Sequence, residues 1–515
     1  MSQMKIRAAS ASQLWRGASA RCAEETRVWK RSGVRARSNK ALTLNTLNPN
    51  IVKLKCADRG PLVERAEVLE KELAMGALKP FKHVIKANIG DGHALGQRPI
   101  TYLRQVVACV AFPDLLTKSH IPADVKERAQ LLLDSCGGKS MGSYSASHGL
   151  EVIRRHVADY IEARDSCPAD WRNVCLSAGA SRAIKLCLSM FCNDLDGKPS
   201  GVLVPVPQYP MYSAALAEFG LVQVDYFLDE ERNWGLKVPE LQRAVEEASK
   251  RCNVRAIVVI NPGNPTGQVL TYETIKRVIH FCREHGLFIF ADEVHQDNVY
   301  APGCRFHSFK KVLTEMGCEY KDQELASFNS ISKGYVCEGG LRGGWVELCN
   351  VDPEVRANLD KAISVSVCPT TLGQTAVDCV VKPPMPGEPS YCKWIFEKIA
   401  VQESLKQKAH MIASTFNSMP GFQCNIVQGA LYAFPRIVLP PRAVDAAVEA
   451  GMTPDVFYAC KLLEEAGVCV MPGSGFGQRP DTYHFRTTIL PQHQLLMEML
   501  DVFRKFHNKF IKEYC

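Results

Sequence analysis

VRAIVVI at 254–260, NPGNPTGQVL at 261–270, TYETIKRVIHFCREHG at 271–286 and LFIFADE at 287–293 follow one another without interruption. The first and last runs are apolar, rich in β-branched or aromatic residues, and short enough for strands. Between them Ile275, Val278, Ile279 and Cys282 recur at helical spacing, and Gly286 supplies a stop. Strand, helix and strand in this order predict a βαβ unit with parallel strands.

The same alternation extends outward from about residue 140 to 350. VCLSAG (174–179), VLVPVP (202–207), ASFNSIS (326–332) and WVELCN (345–350) complete the candidate strands. The expected fold class is therefore α/β, a mostly parallel central sheet with helices on both faces. PPMPGEP (383–389) breaks the pattern and precedes a long helical stretch, YCKWIFEKIAVQESLKQKAHMIASTFNSM. Beyond it, strands such as GALYAFPRIVL and helices such as TPDVFYACKLLEEAG predict a smaller α+β domain.

In open parallel sheets ligands bind beyond the carboxyl ends of the strands, and the candidate chemistry collects there. Gly179-Ala180-Ser181 after VCLS is either an ordinary serine helix cap or a phosphate-binding helix start. NPGNPTG alternates residues that fix φ with residues that release it, which stiffens a turn around Asn264; a simple chain reversal is the alternative. Asp292 ends an apolar strand, where a carboxylate is costly unless a cation or donors answer it. Ser330-Ile331-Ser332-Lys333 is followed by a Gly-rich stretch that contains Arg342. Taken singly each could be a surface loop. A single ligand with a phosphate, a protonated ring nitrogen, a ring oxygen and an aldehyde would answer all of them, and pyridoxal phosphate has these groups.

NIGDGHALGQRPITYLRQV, GSYSASHG, PVPQYPMYSA, NPGNPTGQVL, FADEVHQDNVY, SISKGY with LRGGW, and HFRTTILP together make the sequence similar to a known family. Over about residues 41–515 it resembles the fold-type I pyridoxal-phosphate aminotransferases and, within them, the alanine aminotransferases. The resemblance implies that Lys333 carries the internal aldimine and that Asp292 pairs the pyridinium. It places Ala180, Ser181, Ser330 and Arg342 on the phosphate, Tyr209 on the ring face and Asn264 at the ring oxygen. Arg486 would clamp the substrate carboxylate, a surface ion pair being its alternative, and Gly90 would lie beneath the substrate. Tyr144 would reach the phosphate of a second subunit, which implies a homodimer. The family pattern commonly has tyrosine where this chain has His295, an imidazole left to donate to the same ring oxygen.

The implied reaction interconverts L-alanine and 2-oxoglutarate with pyruvate and L-glutamate by a ping-pong route. An aromatic or kynurenine-type aminotransferase of the same fold is one alternative, and a non-catalytic cofactor-binding regulator is another. The implied division is an N-terminal arm with part of a small domain at 41–135, a large cofactor-binding domain at 136–382 and a small domain at 390–515.

The 515 residues allow two to four domains, and an apolar content of 46% with 23% charged residues excludes a fibrous or globally disordered chain. Residues 1–40 hold seven Arg and three Lys against Glu24 and Glu25, a net +8 equal to that of the whole chain. The basic signal is thus confined to one end and gives no reason to expect nucleic-acid binding. That end is rich in Arg, Ser and Ala, which predicts a disordered mitochondrial transit segment and a matrix location; an attached basic tail in the cytosol is the alternative. No apolar run reaches membrane-spanning length.

The 21 cysteines are scattered, many in apolar runs around Cys187, Cys192, Cys282 and Cys379, so buried reduced thiols are expected. No C-x-x-C or H-E-x-x-H spacing suggests a metal. CGGKSMG lacks the leading glycine of a P-loop, and no G-x-G-x-x-G occurs.

Overall fold

The computed structural model describes residues 40–54 and 60–515, so the transit-like reading of 1–40 falls almost wholly outside the described residues. Seven strands build the main sheet: β1 (Val174–Ser177), β2 (Lys198–Val206), β3 (Val222–Phe227), β4 (Asn253–Ile260), β5 (Phe288–Asp292), β6 (Leu325–Ser330) and β7 (Gly344–Cys349). A two-residue strand, Asp194–Leu195, adds an eighth. The order is β1-β7-β6-β5-β4-β2, with β3 also on β2. Pairs among β2 to β6 are parallel, whereas β7 runs antiparallel to both β1 and β6.

The six strands anticipated from the sequence are all present; β3 and the two-residue Asp194–Leu195 are additions, of which β3 is the longer. It lies at the sheet margin, is only partly buried and carries the exposed Asp225, so its pattern lacks the continuous apolar run of an inner strand. Inner strands are covered on both faces. Along β4, Ile257 and Val259 enter one core while Ala256, Val258 and Ile260 enter the other. Alternation of side chains across the pleat separates the two cores.

Five helices matter for placing the site: α1 (Pro61–Ala74), α2 (Thr101–Ala111), α3 (Ala180–Ser189), α4 (Tyr272–His285) and α5 (Tyr391–Asn417). The hydroxyl of Thr271 caps α4 by accepting from Thr274 N, and Gly286 ends it at φ +60°, a left-handed geometry suited to glycine. At 1.5 Å per residue α5 is about 40 Å long. Its Trp394 end joins the core that contains α2, and its Leu405–Phe416 stretch joins the core built from the chain ends. That terminal core unites Leu62, Ala66 and Leu69 of α1 with residues as far as Phe510, while Ile85–Lys86 pairs in parallel with Val468–Cys469.

The cysteines of the described residues are free thiols; Cys187, Cys282 and Cys379 are buried, whereas Cys192 is exposed just beyond its apolar helix. No helix among the described residues is long and apolar enough to cross a membrane.

Phe290 is fully buried at β5, its ring 5.2 Å from that of Phe288 and 5.7 Å from that of Phe328. Replacing it with alanine removes the filling between strand and helices. A loss of roughly 3–5 kcal/mol is expected, read as a lowered urea midpoint.

Candidate active site

Sheet register brings the separate sequence segments to one edge. Ile260 of β4 faces Asp292 of β5, which faces Phe328 of β6, while Ser330 and Ser177 both face Gly344. The turn at 261–267, the Asp292 carboxylate, Ser330 and the start of α3 therefore open into one cavity of about 310 Å³. Ala180, Ser181, Tyr209, Asn264, Asp292, His295, Ser330, Lys333, Arg342, Gly90 and Arg486 all line it. Tyr144 does not; its side chain is 83% exposed on the surface.

At one end of the cavity α3 begins at Ala180 after Gly179, which has φ +85°. A Cβ on Gly179 would stand 2.4 Å from Arg342 Nη2, so only glycine leaves room for the guanidinium beside the helix start. Arg342 is anchored there by donating to Gly339 O at 2.9 Å and Ala178 O at 3.1 Å. Unpaired helix N–H groups, serine hydroxyls and this arginine make a natural anion cup.

Deeper in, Asp292 is 4% exposed. No cation lies within ion-pair distance of it among the described residues; instead Tyr212 donates its hydroxyl proton to Oδ2 at 2.8 Å and Val294 N approaches Oδ1 at 3.4 Å. Burial pushes the carboxyl up to about 6, against the pull of Tyr212, Val294 and the more distant Lys333 charge. Of the cation or donors that the sequence calls for, the described residues supply donors alone. Glu293 turns away from the cavity, accepting from Phe309 N at 2.8 Å and Ser327 Oγ at 2.6 Å.

Lys333 follows β6 and is half-buried. Its Nζ donates to Gly90 O at 3.0 Å and lies 3.3 Å from the Tyr432 hydroxyl. A Cβ on Gly90 would collide with that hydroxyl at 1.9 Å, so the 90s loop closes on the lysine only with glycine there. His295 is 1% exposed, and among the described residues neither ring nitrogen meets a hydrogen-bond partner of normal geometry. Burial first, then the charges of Lys333 and Arg486, lower its pKa to about 3 despite the Asn298 amide. The imidazole is neutral, with one N–H to give.

Arg486 sits on the strand Phe485–Thr488, next to Tyr432–Ala433. Its guanidinium is 4.2 Å from the Tyr432 ring centre and 4.7 Å from that of Phe476. It donates to Asn264 Oδ1 at 3.1 Å and to Asn88 O at 2.7 Å. Cation–π contact and two fixed acceptors hold its planar fork in one orientation.

Tyr212 and Tyr432 are central residues that the sequence reading missed. Tyr212 stands three positions after Tyr209 in PQYPMYSA, a near repeat of the same residue that could have flagged it. Tyr432 sits in GALYAFPRIVL, where an aromatic residue in a short strand looks like ordinary core.

Residues 109–501 match the family described as Aminotransferase class I and II. The chain is 54% identical to alanine aminotransferase 1 of Homo sapiens over 486 residues, 94% of this chain and 97% of the relative. It is 42% identical to "Alanine aminotransferase 1, mitochondrial" of Arabidopsis thaliana, over 93% of this chain and 88% of that one. Among solved structures, an alanine aminotransferase from Pyrococcus furiosus superposes with a TM-score of 0.70 at 24% identity, covering 90% of this chain and 99% of the other, a likeness of fold.

The raised carboxyl of Asp292 makes a signed prediction. The unfolded chain loses this proton near pH 4 and the folded protein near 6, so stability falls as pH rises through that window. Freed of small ligands, Asp292→Asn should exceed the wild type by roughly 2–3 kcal/mol at pH 8 and match it at pH 4. Parallel pH dependences in chemical denaturation would contradict it.

Proposed function

The chain belongs to the class I and II aminotransferases, and from that premise we propose that it interconverts L-alanine and 2-oxoglutarate with pyruvate and L-glutamate. The family uses pyridoxal phosphate. The residues present fit it: a cup that a Cβ on Gly179 would fill, and a carboxylate whose pKa burial raises and which no cation pairs among the described residues. The observation that carries the reading is the convergence of Lys333, Asp292 and Arg486 on one cavity.

In this reading Ala180, Ser181, Ser330 and Arg342 would hold the phosphate, Tyr209 the ring face, Asn264 and His295 the ring oxygen, and Asp292 the ring nitrogen. When bound, the cofactor supplies an electron-withdrawing ring that acidifies the Cα–H of an amino acid and carries the amino group from donor to acceptor. Asp292 keeps a proton on that ring nitrogen. Lys333 Nζ would take up the Cα proton of the substrate and pass it on, and Gly90 O and the Tyr432 hydroxyl hold the amine near the cavity centre. Arg486 binds the α-carboxylate through its fork, the anchor a substrate with a methyl side chain most needs. Gly90 fits closely against Tyr432 beside the lysine, where any side chain at position 90 would intrude on the cavity.

Exposure of Tyr144 supports assigning it to the site of a second copy, and with it a homodimer. The Arg-, Ser- and Ala-rich composition of residues 1–40 supports a mitochondrial matrix location, as does the "mitochondrial" in the plant relative's name.

Two measurements test these assignments. L-alanine alone should bleach the visible band of the purified protein and 2-oxoglutarate should restore it; a band untouched by alanine but bleached by tyrosine or kynurenine would reassign the substrate, and no band after incubation with pyridoxal phosphate would overturn the catalytic role of Lys333. For His295, a neutral imidazole donor differs from a phenol in acidity and reach. The pH midpoint of the visible band should therefore move by roughly one unit in His295→Tyr. An unchanged midpoint removes His295 from the ring oxygen.

A further inference from the structure

The string GDGHALGQRPITYLRQV has so far contributed only Gly90 to the site, yet two of its other residues, His93 and Arg104, meet on one buried carboxylate. Glu338 lies between Lys333 and Arg342, and its side chain is 3% exposed. Arg104 of α2 grips it through both oxygens, Nε at 2.7 Å from Oε1 and Nη2 at 2.9 Å from Oε2. His93 Nε2 stands 3.6 Å from Oε1, and its Nδ1 is 3.1 Å from Gln97 O. From the same loop Gln97 donates to Tyr335 O at 2.8 Å, and Gly92 packs so tightly on Cys337 that a Cβ would lie 3.1 Å from its sulfur.

The loop 90–97 is therefore fastened to the segment 333–338 by several contacts, one of which is the Lys333 Nζ bond to Gly90 O. Lys333 Nζ cannot keep that bond while it is engaged on cofactor or substrate. When it breaks, Ile89, Gly90 and Asp91, which wall the cavity, depend on the remaining contacts. One of them, His93 facing Glu338, depends on a carboxylate that Arg104 of the adjoining α2 fixes through a charge-assisted double hydrogen bond, the strongest type of contact in this cluster.

We infer that Glu338 is a positioning residue: its buried carboxylate, gripped by Arg104 and flanked by His93, holds the loop 90–97 over the reaction site while Lys333 is engaged in chemistry. The inference rests on the aminotransferase reading of the site, and adds to it a residue that acts through the loop rather than on substrate or cofactor.

Glu338→Gln tests it in the holoenzyme, since it removes the buried charge and leaves Arg104, which is nearly half exposed, to solvent. Amide hydrogen exchange in peptides spanning 88–98 should quicken roughly tenfold while exchange elsewhere and the visible cofactor band stay as in the wild type. KM for the amino acid should rise roughly tenfold with kcat within about twofold, the signature of a loop that must be ordered before substrate is bound, at a cost shared by ground and transition states. Arg104→Lys keeps the charge without the fork and should fall between the two in both readouts. It also decides the matter if Glu338→Gln does not fold. Unchanged exchange in 88–98 overturns the inference, as does acceleration spread over the whole chain with a lowered Tm, which would make the pair a general stabiliser. Wild-type turnover with L-alanine tests the substrate reading separately, since the exchange measurement does not depend on which amino acid is turned over.

Discussion

A carboxylate at the end of an inner strand, with both faces of its sheet covered, is the constraint to which the rest of this structure responds. Asp292 closes β5, whose other residues are all buried, and its oxygens meet one phenol and one weakly placed amide. Water cannot solvate it freely, so its ionised form is held at a cost that an incoming positive group would relieve. A pyridinium nitrogen is such a group. The same surroundings that raise the carboxyl also strengthen its attraction for a cation, because both effects come from low local polarisability.

Around that carboxylate the fold gathers groups from distant parts of the chain. The parallel strands deliver Asn264, Asp292 and Ser330 by register, while the antiparallel β7 brings Gly344 against the start of α3. A Cβ on Gly344 would be 2.7 Å from Asn329 O and 3.0 Å from Ala180 N, so this close approach requires glycine. The opposite wall comes from the chain ends. Gly90 arrives from the N-terminal side and Tyr432 and Arg486 from the C-terminal side, joined in one core and by the pairing of Ile85–Lys86 with Val468–Cys469. Orientation there is set by rigid neighbours: Arg486 has two aromatic rings against its guanidinium and fixed acceptors at its fork.

Two buried carboxylates of the site region illustrate how environment divides labour between identical groups. Asp292 faces the cavity with few donors, whereas Glu338 is matched by a bidentate arginine and turned toward a loop. The first is poised to take up a cation and the second is already satisfied. Chemistry favours the unsatisfied group and positioning favours the satisfied one.

The amino-acid sequence by itself determined the sheet, because strand and helix periodicities are local and the runs from Val254 to Asp292 are long enough to be unambiguous. It also marked Asn264, Asp292, Lys333 and Arg342, since each follows directly on a buried strand or lies in a glycine-rich turn beyond one. The edge strand Val222–Phe227 escaped because a half-exposed strand tolerates polar residues such as Asp225. Tertiary structure alone decided the partners. Nothing local in the sequence ties Tyr212 to Asp292, Tyr432 to Gly90 and Lys333, or Arg104 to Glu338, pairs separated by 80 to more than 300 positions. Such contacts depend on where packed layers place their edges, and that position is a property of the whole core rather than of any segment.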